Sequence, residues 1–169
     1  MTRRTVEQGS DHRSSDLDAV RRLLGREPQG AFDVVVRRAD GSPVVLANEP
    51  LLDSGRPMPT RYWLVDRRLV KAVGKLESEG GVNRAEAEVD PVALRRTHDR
   101  YAAAREALID PDHEGPRPYG GVGGTRQGVK CLHAHYANHL VGDDDPVGAW
   151  VHERLTEVGR AYDPLEPAE

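Results

Sequence analysis

Cysteine is almost absent from the sequence, and this limits what can hold the chain together. The 169 residues include a single cysteine, Cys131. An internal disulfide is therefore excluded, and a lone thiol is typical of a reducing compartment. We expect a cytoplasmic protein that is stabilised by a hydrophobic core, for which the chain is long enough.

Long apolar runs and a surplus of basic residues are also missing. The longest apolar stretches are only three or four residues, as at Val34–Val36, so no segment predicts a membrane span. The chain begins with MTRRTVEQGSDHRSSD, in which no apolar run follows the arginine pair, unlike a secretory signal. The net charge is −4 and the pI is about 6.0, whereas nucleic-acid binding usually needs a basic face. These features predict neither membrane insertion nor general nucleic-acid binding.

The pattern of apolar residues predicts one α+β domain over residues 15–159, between a disordered arm at 1–14 and a flexible tail at 160–169. Runs of β-branched and aromatic residues predict three strands, at 31–37, 43–47 and 62–65. Helical periodicity predicts helices at 15–24, 67–79, 90–108, 128–141 and 145–158. Asp40-Gly41 is a hairpin signal between the first two strands. We therefore expect a small three-stranded, mostly antiparallel sheet covered by four or five helices.

Aspartate residues stand at the predicted start of three helices. Asp66 precedes the second helix, and Asp90 and Asp145 are each followed directly by proline. Aspartate accepts hydrogen bonds from the free N–H groups of a first turn, and proline fits the first helical position. We predict all three as helix N-caps.

A glycine-rich segment at 120–128, GGVGGTRQG, precedes the fourth predicted helix and is called the glycine loop below. Glycine-rich chain is entropically costly to order, and one reason to carry it is close approach of backbone N–H groups to an anion. The predicted anion-binding residues are Gly121, Gly123, Gly124, Thr125, Arg126 and Lys130. The loop is not a Walker loop, because no Gly-Lys-Ser/Thr ends it. The alternative is a connector that lets two helices pack.

Directly after the loop, Cys131, His133, His135 and His139 bring candidate metal ligands together. The apolar residues around them repeat at helical spacing, so we place the four on a helix. Cys131 and His135 are then neighbours at i,i+4 and could share an ion such as zinc, with His133 and His139 as further candidates. A zinc site needs more than two protein ligands, so the alternative is a buried thiol with hydrogen-bonded histidines.

Cys131 could also act as a nucleophile. The first turn of a helix beside Lys130 favours a thiolate, and His135 or His98 could serve as the base. His98, Tyr101 and Arg105 share one face of the predicted helix 90–108 and could line the same cleft. The pattern lacks the Cys-x5-Arg loop of cysteine phosphatases.

Several stretches together resemble domain-of-unknown-function family 501, which is common in actinobacteria. They are LLGREPQGAFDVVVR at 23–37, PMPTRYWLV at 57–65, KLESEGG at 75–81 and GGVGGTRQGVKCLHAHYA at 120–137. Family members are often encoded near a cell-division septum protein and an exopolyphosphatase, which implies phosphate or envelope physiology and supplies no activity. Some relatives carry a cysteine at the position of Asp66. If that cysteine is a metal ligand in them, Asp66 has to act in its place, which argues against a thiolate-rich metal site in this chain.

These observations predict a pocket built from the glycine loop, the helix with Cys131 and His135, and the helix 90–108. Its ligand would be a small anion, such as a phosphate compound, with or without a metal ion. The alternatives are a non-enzymatic adaptor whose loop docks a protein partner, a cysteine-dependent hydrolase, and a structural cluster without a ligand.

Overall fold

An antiparallel three-stranded sheet lies at the centre of the structure, a computed structural model that describes the backbone of residues 4–166 and the side chains of residues 14–166. The strands are β1 at Phe32–Arg37, β2 at Pro43–Asn48 and β3 at Tyr62–Leu64. β2 lies in the middle of the sheet and five of its six residues are buried. The predicted strands, their antiparallel pairing and the hairpin between the first two are confirmed.

Helices cover the sheet. The described residues form α1 at Arg4–Leu24, α2 at Arg67–Ser78, α3 at Gly81–Glu88, α4 at Pro91–Glu106, α5 at Leu132–Leu140 and α6 at Pro146–Glu157. The predicted α+β class is confirmed, with α3 as one helix more than predicted. α3 was missed because its eight residues, GVNRAEAE, contain too few apolar side chains to show a stripe. No helix in the described part of the chain is both long and apolar enough to cross a membrane.

Each of the three predicted aspartate caps is confirmed. The Asp66 side chain accepts the Leu69 N–H at the start of α2. Asp90 accepts two N–H groups at the start of α4, and Asp145 accepts two at the start of α6. The sequence therefore fixes where these helices begin, and α4 and α6 both frame the site described below.

The structure describes parts of the predicted arm and of the predicted tail. α1 begins at Arg4, so it includes most of the segment predicted as a disordered arm. The tail contacts the sheet, because the Ala39 N–H donates to the Pro164 carbonyl at 2.7 Å. Residues 1–3 and 167–169 lie outside the described residues, and the disorder of the arm and the flexibility of the tail stay predictions.

The main core lies between the sheet and helices α2, α5 and α6. Leu69, Val73, Leu132, Tyr136 and Val151 are among its most buried side chains. α1 packs in a separate, smaller cluster. Burial of Leu132 and Tyr136 fixes the rotation of α5, and this rotation decides where the histidines of α5 point.

Candidate functional site

The glycine loop folds back on itself. The Gly121 N–H donates to the Thr125 carbonyl at 2.7 Å, and the Gly124 N–H donates to the Gly121 carbonyl at 3.0 Å. The Thr125 hydroxyl donates to the Gln127 carbonyl at 2.7 Å. These three donors are used inside the loop, so their predicted role in binding an anion has no support in its hydrogen bonds.

Close packing explains two of the glycines. A Cβ atom on Gly121 would lie 2.5 Å from the Cβ atom of His98 on α4, a distance that no side chain tolerates. Gly120 has φ 72°, and a Cβ atom there would lie 2.8 Å from the Gly124 backbone. The glycines therefore let the loop approach α4 and close on itself, as the connector alternative requires.

His98 ties the loop to α4. Its side chain is 3% exposed. The Val122 N–H donates to Nδ1 at 3.1 Å, and Nε2–H donates to the Gly128 carbonyl at 3.0 Å. Burial lowers the pKa of His98, against the raising effect of the Gly128 carbonyl. A neutral His98 with both nitrogens bonded is a tether, and its predicted acid–base role would require one of these bonds to break.

We expect His98→Ala to lower the free energy of unfolding at neutral pH by about 2–4 kcal/mol, because it leaves a cavity and two unpaired backbone groups. The folded-state pKa of His98 lies below the ordinary value of 6.5, so the unfolded chain takes up a proton first as the pH falls. Wild-type stability should therefore decline as the pH drops below 6.5, and the variant should lack this part of the decline. Urea unfolding at about pH 7.5 and about pH 5.5 measures the difference. Equal losses in both proteins would contradict the role of His98.

A cavity of about 620 Å³ lies between α4 and the loop segment that begins at Pro118. Its charged lining residues are Arg95, Asp99, Arg105, Glu106 and Arg126. Glu106 forms an ion pair with Arg117, which is not part of the lining. The remaining lining charges are three arginines and one aspartate, so the cavity has a surplus of positive charge.

Arg105 is the most unusual of these residues. It is 2% exposed, and its guanidinium donates to the carbonyls of Pro59 at 2.7 Å and Gly120 at 2.6 Å. It pairs with no carboxylate among residues 14–166, and its Nε atom is buried without a hydrogen-bond partner there. Burial lowers the pKa of Arg105, although an arginine stays protonated. Tyr101 and Glu106 act in the opposite direction and raise the pKa of Arg105, but by less than burial lowers it.

Cys131 does not lie on a helix, which corrects the predicted start of α5 at residue 128. Its backbone is extended, with φ −150° and ψ 116°, and α5 begins only at Leu132. The apolar spacing placed Val129 on the buried face of the helix, whereas Val129 is buried in the loop before the helix begins. The His135 N–H still donates to the Cys131 carbonyl at 3.4 Å, but the Cys131 side chain groups with Glu77 and His133 rather than with the His135 side chain.

Cys131 instead lies beside His133 and Glu77, a residue of α2 that sequence reasoning missed. One ligand atom from each of the three residues lies within 4.8 Å of the other two. His133 Nδ1 is 3.2 Å from Glu77 Oε1, and the Leu132 N–H donates to the same oxygen at 2.7 Å. His133 Nε2 lies 3.0 Å from the Val70 carbonyl, to which it can only donate. Since Nε2 carries the hydrogen, Nδ1 faces the thiol and the carboxylate.

The electrostatics of this cluster favour a positive charge at His133. Burial lowers the pKa of His133, but interactions with Cys131, the Val70 carbonyl and Glu77 outweigh it and raise the pKa to about 9. At neutral pH this arrangement therefore favours the protonated imidazolium, with the proton on Nδ1 between the thiol and the carboxylate.

His135 belongs to a second, fully buried group. Its Nδ1 lies 2.8 Å from Asp145 Oδ2, and both side chains have 0% exposure. Its Nε2 has no hydrogen-bond partner among the described residues. Asp145 also accepts from Asn138 Nδ2 at 3.0 Å. His135 is therefore a core residue that is held by the cap of α6, away from Cys131.

The other predicted residues lie apart from these groups. His139 stacks on Tyr136 and lies beside His152, with ring centroids 5.5 Å apart in the histidine pair. Lys130 is exposed. Asp66, where some relatives carry a cysteine, caps α2 and pairs with buried Arg38 at 2.6 Å. The four predicted metal ligands thus fall into three separate groups of contacts.

Comparison with known proteins gives one match. A family model described as a protein of unknown function, DUF501, matches residues 34–153. Neither the curated proteins nor the solved structures contain a match to the chain. The matched range includes all but the first two residues of the sheet, the cavity, and both the Cys131 and the His135 groups.

Proposed function

The chain belongs to the DUF501 family of proteins of unknown function, and from that premise we propose that it binds a small anion, such as a phosphate compound, in the cavity between α4 and the glycine loop. The volume of about 620 Å³ is typical of small-molecule sites and exceeds what a single phosphate needs. The ligand is therefore a phosphate group carried by a larger molecule, or a short chain of phosphates.

Arg105 is the observation that supports this proposal. A buried charge is normally paired with an opposite charge, and an unpaired one is costly. The hydrogen bonds of Arg105 go to carbonyl oxygens, so its positive charge has no ion-pair partner among the described residues, and its Nε has no hydrogen-bond partner there. An anion in the cavity supplies the missing negative charge.

The rim of the cavity adds two more cations. Arg126 stacks on Tyr119, with its guanidinium carbon 4.0 Å from the ring centroid, and Arg95 lines the cavity from α4. Both arginines are exposed, so they can move to meet a ligand. Arginine suits phosphate because its planar fork donates two parallel hydrogen bonds.

The glycine loop contributes by position rather than by its N–H groups. Its close approach to α4 places the Gly120 carbonyl 2.6 Å from Arg105 Nη2. The loop therefore orients the guanidinium and forms one wall of the cavity. In this proposal the positive charges that contact the anion belong to Arg105, Arg126 and Arg95. The sequence analysis predicted this role for Arg126 and Lys130.

The alternative of a docking adaptor has less support. Large exposed apolar side chains include Val35, Val92, Leu108, Val158 and Leu165, which lie on different elements or loops. Such scattered residues are normal on a protein surface and form no contiguous docking patch. We propose no reaction, and a cytoplasmic location stays a prediction from the lone cysteine.

Arg126→Ala and Arg95→Ala test the rim. Each variant should bind pyrophosphate or a short polyphosphate about 10-fold more weakly, since a charged hydrogen bond contributes roughly 1.5–3 kcal/mol and exposure reduces that value. Isothermal titration calorimetry at low salt measures the affinity, and thermal shift with orthophosphate, pyrophosphate and nucleotides ranks the ligands.

Arg96→Ala is the matched control. Arg96 is the exposed neighbour of Arg95 on α4 and does not line the cavity. Its removal changes the net charge by the same amount and should leave the affinity within about twofold, because screened surface charges act weakly. An equal loss in Arg96→Ala would indicate general electrostatic attraction, and no binding of any of these anions by wild-type protein would refute the proposal.

A further inference from the structure

The group formed by Glu77, Cys131 and His133 lies on the other side of the glycine loop from the anion cavity. Gly120 and Gly121 line the cavity, whereas a Cβ atom on Gly123 would lie 3.7 Å from the Cβ atom of Cys131. None of the three residues lines the cavity. The group is therefore distinct from the anion site and can have a ligand of its own.

Three kinds of ligand atom converge here from two helices. α2 supplies a carboxylate, the residue before α5 supplies a thiol, and the first turn of α5 supplies an imidazole. Sulfur, nitrogen and oxygen ligands in one group suit zinc and related divalent ions, and do not suit magnesium or calcium. With zinc–ligand bonds of about 2.0–2.3 Å, tetrahedral ligands lie roughly 3–4 Å apart. The separation of 3.2 Å between His133 Nδ1 and Glu77 Oε1 falls in that range.

The outer contacts orient two of these ligands. A metal-bound histidine nearly always donates its other N–H to a carbonyl or carboxylate, which fixes the ring. His133 does so through Nε2 and the Val70 carbonyl, at 3.0 Å. The Leu132 N–H donates to Glu77 Oε1 at 2.7 Å and holds that carboxylate beside the start of α5. The hydrogen bond from Nε2 to the Val70 carbonyl therefore orients the ring so that Nδ1 faces the other two ligands.

The charges of the group also match a divalent ion. A thiolate at Cys131 and a carboxylate at Glu77 carry two negative charges, which a divalent cation balances when it displaces the proton from His133 Nδ1. The side chains of His133 and Glu77 are 25% and 27% exposed, so an ion can enter and water can reach it.

We propose that Glu77, Cys131 and His133 bind a divalent cation of the zinc type, with water as the fourth ligand. Three protein ligands and one open position are the arrangement of zinc sites that take part in chemistry, whereas structural zinc sites use four protein ligands. The proposal replaces the predicted ligand pair of Cys131 and His135, and it leaves His139 out of the site.

Cobalt and zinc titration of the full-length chain, after treatment with a chelator, tests the site. Cobalt bound to a thiolate gives an intense near-ultraviolet charge-transfer band, which zinc should remove by competition. Cys131→Ser should abolish the band. His133→Gln and Glu77→Gln should weaken cobalt binding by about 10-fold or more, at least as much as the loss of an outer contact. Glu77→Gln keeps an oxygen that can accept the Leu132 N–H, so α5 should still begin normally.

His139→Gln is the control, since His139 is the half-buried histidine of the same helix that lies outside the group. It should bind cobalt like wild-type protein. A second measurement does not depend on any variant: zinc should protect Cys131 of wild-type protein from iodoacetamide. Absence of the thiolate band, its persistence in Cys131→Ser, or equal alkylation rates with and without zinc would each overturn the proposal. Fast, zinc-insensitive alkylation would indicate a Cys131–His133 nucleophile pair instead.

Discussion

Asp145→Ala is expected to lower the free energy of unfolding by about 4 kcal/mol or more, which approaches the whole stability of many domains. Asp145 is 1% exposed and accepts hydrogen bonds from four groups on three sides. They are His135 Nδ1, Asn138 Nδ2 and the N–H groups of Val147 and Gly148. Alanine leaves each of these donors buried without its acceptor, and it also removes the cap of α6.

The effect of pH on this pair follows from the sign of the pKa shift of Asp145. Burial raises the pKa of Asp145, but the hydrogen bond and charge of His135, with the bonds from Asn138 and Gly148, lower it below the ordinary 3.8. A group whose folded-state pKa is lowered stabilises the protein above its unfolded pKa, and the gain disappears as the pH falls through the folded value. The stability gap between wild type and Asp145→Asn should therefore be constant near neutral pH and narrow below 3.8.

Asp90→Ala is the matched control for Asp145→Ala. Both aspartates cap a helix and precede proline, but Asp90 is exposed and binds only the N–H groups of Val92 and Ala93. The loss of this cap should cost about 1 kcal/mol. Urea unfolding of both variants measures the difference, which reports the buried bonds from His135 and Asn138 together. Similar losses in the two variants would show that the His135–Asp145 pair contributes little.

The sequence predicted correctly those boundaries of helices and strands that depend on residues close together in the chain. Asp66, Asp90 and Asp145 cap helices as predicted, because a cap needs only the side chain and the N–H groups two or three positions later. The Asp40-Gly41 hairpin succeeded for the same reason. The cap pattern could not show that Asp145 also holds His135, since that contact requires α5 to pack against α6.

The candidate sites depend on tertiary contacts, which the periodicity of apolar residues does not predict. Cys131 meets His133 only because the chain is extended at residue 131, whereas the apolar spacing around it suggested a helix. Glu77 joins them from α2, more than fifty positions earlier in the chain. Arg105 looked like the polar flank of a helix, and it is buried because Pro59 and Gly120 close over it from distant segments. Tertiary packing thus decided which polar residues became site residues.

Arg105→Gln should reduce the affinity for pyrophosphate or polyphosphate by about 10- to 100-fold, because a buried charge-assisted hydrogen bond contributes roughly 1.5–3 kcal/mol. Glutamine can still donate to the Pro59 or Gly120 carbonyl, so the variant should fold with a moderate loss of stability. Arg100→Gln is the control on the same helix, since Arg100 pairs with Asp143 and does not line the cavity. That variant should bind anions like wild-type protein.

The stability of Arg105→Gln should also depend on the anion in a way that separates ligand binding from a purely structural role. Without phosphate, the buried guanidinium of wild-type protein has no ion-pair partner among the described residues. Replacing it with glutamine then removes only its hydrogen bonds to carbonyl oxygens. A ligand at 100 times its Kd stabilises the folded state by about 2.7 kcal/mol, and the variant should lose about half of this gain or more at the same ligand concentration. The difference in unfolding free energy between the two proteins should therefore widen as pyrophosphate is added. If the difference in unfolding free energy stayed constant at every anion concentration, Arg105 would have only a structural role. It would then link Pro59 to Gly120 without binding an anion in the cavity.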